Sequence, residues 1–234
     1  GLEEAIRKRQ GVSKLRALAA RRVPDIVIDV ELGGANGATW QYELALGHDK
    51  QQRPRIKRES VRRDSRSLFS RPDELDKSDP ERLTQTYLQQ VNVNKEFRPV
   101  ADAFASIRYL HIVPQLIREP DRSVGRTNDP YGGDFIEQVA ATREQTLRAR
   151  LKAISGALKI AVPQLSELEL VRGPRGVPHL RGRYEHWRPE GAWQTEDQFS
   201  DGTLRLLGLL WAILEGGGPL LLEEPELSLH PEVV

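Results

Sequence analysis

The sequence FSDGTLRLLGLLWAILEGGGPLLLEEPELSLHP, residues 199–231, decides the fold class of this chain. Its first half predicts an apolar helix over residues 204–214, which ends at three consecutive glycines. A buried strand is predicted over residues 219–222, and Glu223 and Glu224 follow it directly. Because open α/β sheets bind ligands at the C-terminal ends of their strands, this pattern predicts an α/β fold with a site at the two carboxylates.

Paired carboxylates at the end of an apolar strand suit the hydrolysis of a nucleotide. In such a site one carboxylate is held near Mg²⁺, and the next orients or deprotonates the attacking water. The alternative is an acidic loop after a buried strand, since adjacent glutamates are common.

The segment from Ser200 to Thr203 predicts an anion site at the start of the helix. Ser200 is a favourable helix N-cap, and Gly202 lets the backbone approach a ligand closely. The free N–H groups at a helix N-terminus attract phosphate. The alternative is an ordinary N-cap without a ligand.

Residues 199–203 and 220–231 together resemble the signature motif, the Walker B motif and the D-loop of ABC-type ATPases. Within that class they are most similar to the RecF/SMC-like branch, and especially to the AAA-family ATPases related to OLD-family proteins. Those proteins often have SDGT in place of SGGQ. The resemblance implies an ATPase that uses ATP and Mg²⁺ and forms a homodimer through its ATP sites. It also implies action on DNA, in repair, chromosome maintenance or phage defence.

The resemblance assigns roles to individual residues. Glu224 corresponds to the catalytic carboxylate, and Glu223 occupies the metal-linked position, where many relatives have Asp. Residues 225–229 would form the D-loop, which packs across the dimer interface. The residues expected to contact the γ-phosphate of ATP bound to the opposite subunit are Ser200, Gly202 and Thr203.

Two parts of the family's ATP site do not occur in this sequence. The phosphate-cradling motif Gly-x-x-x-x-Gly-Lys-Ser/Thr, or Walker A, is absent, and so is the switch histidine expected one strand after the D-loop. His230 lies inside the D-loop region and is not that histidine. We therefore expect no ATP hydrolysis by this chain alone. It is either a fragment of a longer ATPase or a catalytically silent dimerisation or regulatory module, and a nuclease domain after residue 234 is a third possibility.

Composition excludes several classes of protein. The chain has 234 residues, with 35 Lys and Arg against 34 Asp and Glu, and 38% of its residues are hydrophobic. These values indicate a folded protein and argue against a disordered one. Zero cysteines exclude disulfide scaffolds, thiolate zinc sites and cysteine nucleophiles. No apolar run approaches the roughly 18 residues of a membrane helix, so we expect a cytoplasmic protein without membrane contact.

The near-neutral total hides a basic stretch over residues 50–72. This stretch contains nine basic and two acidic residues, whereas residues 190–234 are strongly acidic. A basic stretch predicts contact with the DNA backbone, and the alternative is a solvated strand and loop.

The rest of the chain predicts a peripheral antiparallel β part and a helical lobe within one ABC-type ATPase head, a P-loop NTPase fold. Residues 26–61 predict a β-hairpin, which a third strand over residues 55–61 extends. Residues 81–160 predict the helical lobe, with a short helix over residues 81–90 and one amphipathic helix over residues 135–160. Further strands are predicted over residues 109–114, 165–171, 177–187 and 192–194.

Overall fold

The computed structural model divides by its contacts into two compact units, residues 1–105 (unit 1) and residues 106–234 (unit 2). Both units combine helices with β-strands, so the predicted α/β character is confirmed at this coarse level. The division into a β part and a helical lobe of one ATPase domain stays a prediction. The structure describes residues 2–16, 25–34, 37–119, 128–187 and 192–227.

Unit 1 is built on a four-stranded antiparallel sheet whose strands follow the order of the chain. In the first half of the second strand, the buried side chains of Trp40, Tyr42 and Leu44 alternate with more exposed ones, as the pleat of a strand requires. The predicted hairpin and third strand are confirmed, whereas the fourth strand was not predicted because it contains only two apolar residues. The strands are β1 (Ile26–Gly33), β2 (Thr39–His48), β3 (Pro54–Arg63) and β4 (Arg66–Arg71).

The helix predicted over residues 81–90 is wrong. Two 3₁₀ helices, Pro80–Thr84 and Tyr87–Gln89, occupy this segment. The reason lies in Arg71, whose guanidinium donates to the backbone oxygens of Arg82 and Gln85 at 2.9 and 3.0 Å. These carbonyls therefore bond to a side chain instead of extending a helix. The α-helices of unit 1 are α1 (Leu2–Lys8), α2 (Val12–Leu15), α3 (Glu74–Ser78) and α4 (Arg98–Ser106).

Unit 2 combines a two-stranded parallel pair with a three-stranded antiparallel sheet. Its strands are β5 (Arg108–Leu110), β6 (Leu165–Arg172), β7 (Pro178–Tyr184), β8 (Ala192–Thr195) and β9 (Leu220–Leu222). Its helices are α5 (Pro114–Arg118), α6 (Phe135–Ala141), α7 (Glu144–Leu158) and α8 (Asp201–Glu215). The antiparallel strands β6, β7 and β8 confirm the three strands predicted there. None of the helices in the described part of the chain has the length and apolar character needed to cross a membrane.

The single helix predicted over residues 135–160 is two helices. Thr142 and Arg143 have extended backbone conformations, with ψ near 140° and 136°, and they separate α6 from α7. The apolar stripe already skips from Val139 to Leu147, so the two helices bury separate faces. A stripe with a gap of this length is evidence for two helices rather than one.

Helix α8 is the central helix of unit 2, and its prediction is confirmed. Leu204, Leu207 and Trp211 follow one another at steps of three and four residues, so they lie on one face of the helix. Each is at most 2% exposed. Trp211 packs edge-on against Phe135 with ring centroids 6.2 Å apart. This packing fixes the position of α8 and of the loop that precedes it.

Strands β5 and β9 are shorter and more exposed than predicted. The strand expected over residues 109–114 ends at Leu110, because Pro114 begins α5. Strand β9 was expected to be buried, but Leu221 and Leu222 are 55% and 42% exposed. The reason is that in the described part of the chain β9 pairs with β5 alone. The pairing is parallel, so both strands end at the same edge.

Candidate functional site

The predicted site residues fall into two groups within unit 2. The strand-end group lies at the C-terminal ends of β5 and β9 and contains Glu223 and Glu224. The helix-start group lies at the N-terminus of α8 and contains Ser200, Gly202 and Thr203. Different elements hold the two groups: β9 and the turn after it hold the first, and α8 holds the second.

Glu223 is held against the end of β5. Its backbone N–H donates to the oxygen of Leu110 at 3.1 Å, which extends the parallel ladder by one residue. The hydroxyl of Tyr109 donates to Oε2 of Glu223. His111 Nδ1 lies 4.0 Å from the same oxygen, is buried, and has no hydrogen-bond partner among the described residues. The Glu223 side chain nevertheless remains 55% exposed, so it can still meet a ligand.

Glu224 begins the turn that follows β9. Its φ is +49°, in the left-handed region that residues other than glycine seldom adopt, and its backbone oxygen accepts from the N–H of Leu227 at 3.2 Å. Such backbone positions cluster at functional sites. Glu224 is exposed in this turn. Residues 225–227 of the predicted D-loop belong to this turn, and residues 228–231 lie outside the described residues.

Ser200 caps helix α8, as predicted. Its Oγ accepts from the backbone N–H of Thr203 at 3.1 Å and lies 2.8 Å from the Thr203 hydroxyl. Thr203 is only 4% exposed and Gly202 is buried, whereas Ser200 is exposed. The hydroxyl of Thr203 is therefore engaged in the cap, and Ser200 is the exposed residue of this group. Contact of these residues with a phosphate stays a prediction.

Two neighbouring contacts escaped the sequence analysis. Arg118, at the end of α5, forms an ion pair with Asp201 at 2.6 Å and donates to the backbone oxygen of Phe199 at 2.6 Å. Glu196 is buried and accepts from His179 Nδ1 at 2.7 Å and from the Leu180 N–H at 2.9 Å. The first contact fixes the start of α8. The second holds the segment just before α8 against β7.

No sequence signal pointed to these partners. Arg118 and Asp201 are far apart in the chain, and Tyr109 is even farther from Glu223, at 114 residues. Tyr109 and His111 lie on an ordinary apolar strand pattern, which carries no catalytic motif. The useful signal was indirect: a second short apolar strand, whose end could meet the end of β9.

The side chains of the strand-end group fit Mg²⁺ with ATP. Mg²⁺ prefers oxygen ligands, and it is usually bound by one or two carboxylates together with phosphate and water. Glu223 offers a half-exposed carboxylate, and Glu224 offers a second, exposed one. Within the described residues, no group of three or more His, Asp or Glu side chains is arranged to hold a metal ion. When bound, Mg²⁺ neutralises phosphate charge, and Glu223 is the residue that would hold it.

The comparisons with known proteins concern nearly the whole chain. A family model described as "AAA domain, putative AbiEii toxin, Type IV TA system" matches residues 20–234. The matched range contains both groups of site residues. A search of curated proteins found no match.

Proposed function

Because the chain belongs to this AAA domain family, a family of the P-loop NTPase type with ATPase-like nucleotide binding, we propose that it acts as an ABC-type ATPase head of the RecF/SMC-like branch. In this proposal the head binds ATP with Mg²⁺, and two heads close face to face around the nucleotides. Hydrolysis then reopens the pair, because ATP favours the closed dimer over the open one. The same family match does not favour the alternative of a catalytically silent module.

The observation that supports the proposal best is the meeting of two parallel strand ends around Glu223. Tyr109 in β5 and His111 directly after β5 approach its carboxylate, and Glu224 follows it in an exposed turn. In the proposal Glu223 holds Mg²⁺ and Glu224 orients or deprotonates the attacking water. The ends of parallel strands are where α/β proteins bind their ligands.

The helix-start group takes part in the dimer. In the proposal the N-terminus of α8 and Ser200 contact the γ-phosphate of ATP bound to the opposite subunit. The free N–H groups of this helix end support that role, since they attract anions. The turn after Glu224, with the D-loop, would then lie at the dimer interface.

DNA is the proposed target of the closed dimer, in phage defence, repair or chromosome maintenance. This part of the proposal rests on the family resemblance and on the basic stretch 50–72. Within the described residues, four of its nine basic side chains form no ion pair, and these are the ones free to meet phosphate. They are Lys50, Lys57, Arg62 and Arg66.

The proposal is tested by ATP binding and turnover, measured on this chain and on the chain extended by the flanking sequence of its own gene. Turnover in the extended form that requires Glu224 would support the proposal. If neither form binds ATP or turns it over, the proposal is contradicted.

The replacement Glu224→Gln makes the test specific. We expect this variant to bind ATP as the unchanged protein does, to lose turnover, and to accumulate as a dimer in light scattering with ATP. The loss follows because an amide cannot deprotonate water. Glu185→Gln is a control at another exposed carboxylate of unit 2, outside both groups of site residues, and should keep both turnover and the monomer–dimer balance. Monomeric Glu224→Gln in the presence of ATP would contradict the proposal.

A further inference from the structure

The first turn of α8 presents a physical conflict. Asp201 is the first residue of this helix, and its carboxylate is 37% exposed. The proposed function brings the γ-phosphate of ATP to the same helix end. Two anions at close range repel each other, and they do so more strongly at a half-buried surface than in water. An uncompensated Asp201 would therefore oppose phosphate binding at this position.

Arg118 lies where it can remove this conflict. Its Nη2 is 2.6 Å from Oδ1 of Asp201, and the same nitrogen donates to the backbone oxygen of Phe199 at 2.6 Å. The Arg118 side chain is only 24% exposed, so solvent screens its pairing with Asp201 weakly. The second bond ties the guanidinium to the backbone one residue before the Ser200 cap. Arg118 thus places a positive charge at the start of α8 by two separate contacts.

We propose that Arg118 is a positioning residue that lets the N-terminus of α8 accept a phosphate group by neutralising Asp201. This inference rests on the proposed function, which supplies the phosphate. Arg118 acts through Asp201 and through the Phe199 backbone, so it needs no direct contact with the ligand. The ligand class is a polyphosphate chain such as that of a nucleoside triphosphate.

The charge argument makes a signed prediction for the two residues of the pair. Removing Arg118 leaves the Asp201 carboxylate uncompensated and should weaken phosphate binding. Removing the Asp201 charge leaves Arg118 in place and should strengthen it. Removing both charges should restore the original affinity. A purely structural pair would behave differently, because either single change would break the same contact and the double change would not restore it.

The experiment uses the 234-residue chain and inorganic tripolyphosphate as the probe. Binding is followed through the amide chemical shifts of Asp201, Gly202 and Thr203 in ¹⁵N-labelled protein. We expect Arg118→Gln to weaken binding about fivefold and Asp201→Asn to strengthen it about twofold. The double variant Arg118→Gln/Asp201→Asn should return to within about twofold of the unchanged protein.

Two further variants separate charge from folding. Arg118→Lys keeps the positive charge and should retain most of the affinity, although it loses the fork of N–H donors. Arg148→Gln is the matched control, because Arg148 also pairs with a carboxylate, that of Glu144 on α7, at an exposed position of the same unit. It should leave the titration unchanged. The Thr203 amide shift before addition of the probe reports whether the Ser200 cap is intact in each variant.

The outcomes distinguish this inference from the proposed function. If tripolyphosphate shifts the α8 amides but Arg118→Gln binds it equally well, the inference is overturned and the proposed function stands. Weakening by both single changes without recovery in the double variant also overturns the inference. If the unchanged chain shows no shift at α8, the proposed contact with phosphate fails, and the inference fails with it.

Discussion

The buried ion network of unit 1 and the strand-end group of unit 2 use charged side chains in opposite ways. In unit 1, Arg71 pairs with Glu59 at 3.2 Å and with Asp76 at 2.8 Å, and all three side chains are 0% exposed. In unit 2, Glu223 is 55% exposed, with a hydroxyl of Tyr109 as its direct partner. Charged side chains that stabilise the fold are thus buried and paired, whereas those available for chemistry remain exposed to solvent.

Further hydrogen bonds satisfy the charged groups of the unit 1 network. The Tyr42 hydroxyl and the Tyr87 N–H donate to Glu59 at 3.1 and 3.0 Å. Arg71 stacks over the Tyr87 ring at 3.9 Å from its centroid. Burial raises the pKa of Glu59 above its usual range, and the bonds from Tyr87, Tyr42 and Arg71 offset this rise only in part. Such a network leaves no group free to bind a ligand.

The largest effect is expected from Arg71→Ala, which breaks the buried network. Removal of Arg71 leaves the buried Glu59 carboxylate without its ion-pair partner and leaves Asp76 with Arg82 alone, and we expect a loss of about 3–5 kcal/mol in the free energy of unfolding. Hydrogen exchange of the β2 and β3 amides measures this loss within unit 1.

Arg58→Ala is the matched control for that substitution. Arg58 pairs with Glu43 across the same strands, but its side chain is 53% exposed, so we expect a change of about 1 kcal/mol or less. If Arg71→Ala and Arg58→Ala lowered the free energy of unfolding equally, burial would make no difference to how much an ion pair stabilises this fold.

A smaller effect is expected from acid, through Asp76. Burial raises its pKa, but hydrogen bonds from Arg71, the Asp73 N–H and Arg82 outweigh this and hold the pKa well below its ordinary value. A carboxylate with a lowered pKa in the folded state contributes stability above its unfolded pKa, near 4, and loses it as the pH falls. Unit 1 should therefore lose stability below about pH 4.

Asp76→Asn checks this assignment. The difference in unfolding free energy between the unchanged protein and Asp76→Asn should shrink from pH 7 to pH 3, measured by urea denaturation at each pH. Glu59→Gln is the opposite control, because the pKa of Glu59 is raised and its difference should not shrink in acid. A constant difference for Asp76→Asn would show that the ion pairs do not set the acid sensitivity of unit 1.

The features that could be predicted from the sequence are those encoded locally. The β1–β2 hairpin, the buried stripe of α8, the Ser200 cap and the strand before Glu223 each depend on residues within a few positions of one another. Hydrophobic periodicity and capping motifs are patterns over a few neighbouring residues, so they predict such features directly. The family match over residues 20–234 supports an AAA-type ATPase family, which is the coarser part of what the motif at residues 199–231 indicated.

The features that could not be predicted depend on partners distant in the chain. Tyr109 meets Glu223, and Arg118 meets Asp201, only because β5 pairs with β9 and α5 packs beside α8. The break between α6 and α7 was missed because most apolar residues of this segment recur at steps of three or four residues. The gap between Val139 and Leu147 was given too little weight. A charge count has a related limit, because it records the sign of each residue and says nothing about its partner.

The basic stretch 50–72 shows this limit most clearly and supplies the smallest predicted effect. Five of its nine basic residues form ion pairs, namely Arg53, Arg55, Arg58, Arg63 and Arg71. Those arginines already have anionic partners in the fold, so they gain less from DNA phosphate than unpaired cations do. Any DNA affinity of this stretch should therefore come from its unpaired cations, including Lys57, Arg62 and Arg66.

A pair of triple substitutions tests this division. Replacement of Lys57, Arg62 and Arg66 by Ala should weaken DNA binding uniformly across sequences and lower the slope of log K against log salt by up to about 3. Replacement of the paired Arg53, Arg58 and Arg63 by Ala removes the same formal charge but should change the slope less, because carboxylates already neutralise these residues. Filter binding across a salt series measures both slopes. Equal slopes for the two triple variants would mean that DNA displaces the carboxylates, and formal charge rather than pairing would then decide which residues of this stretch bind.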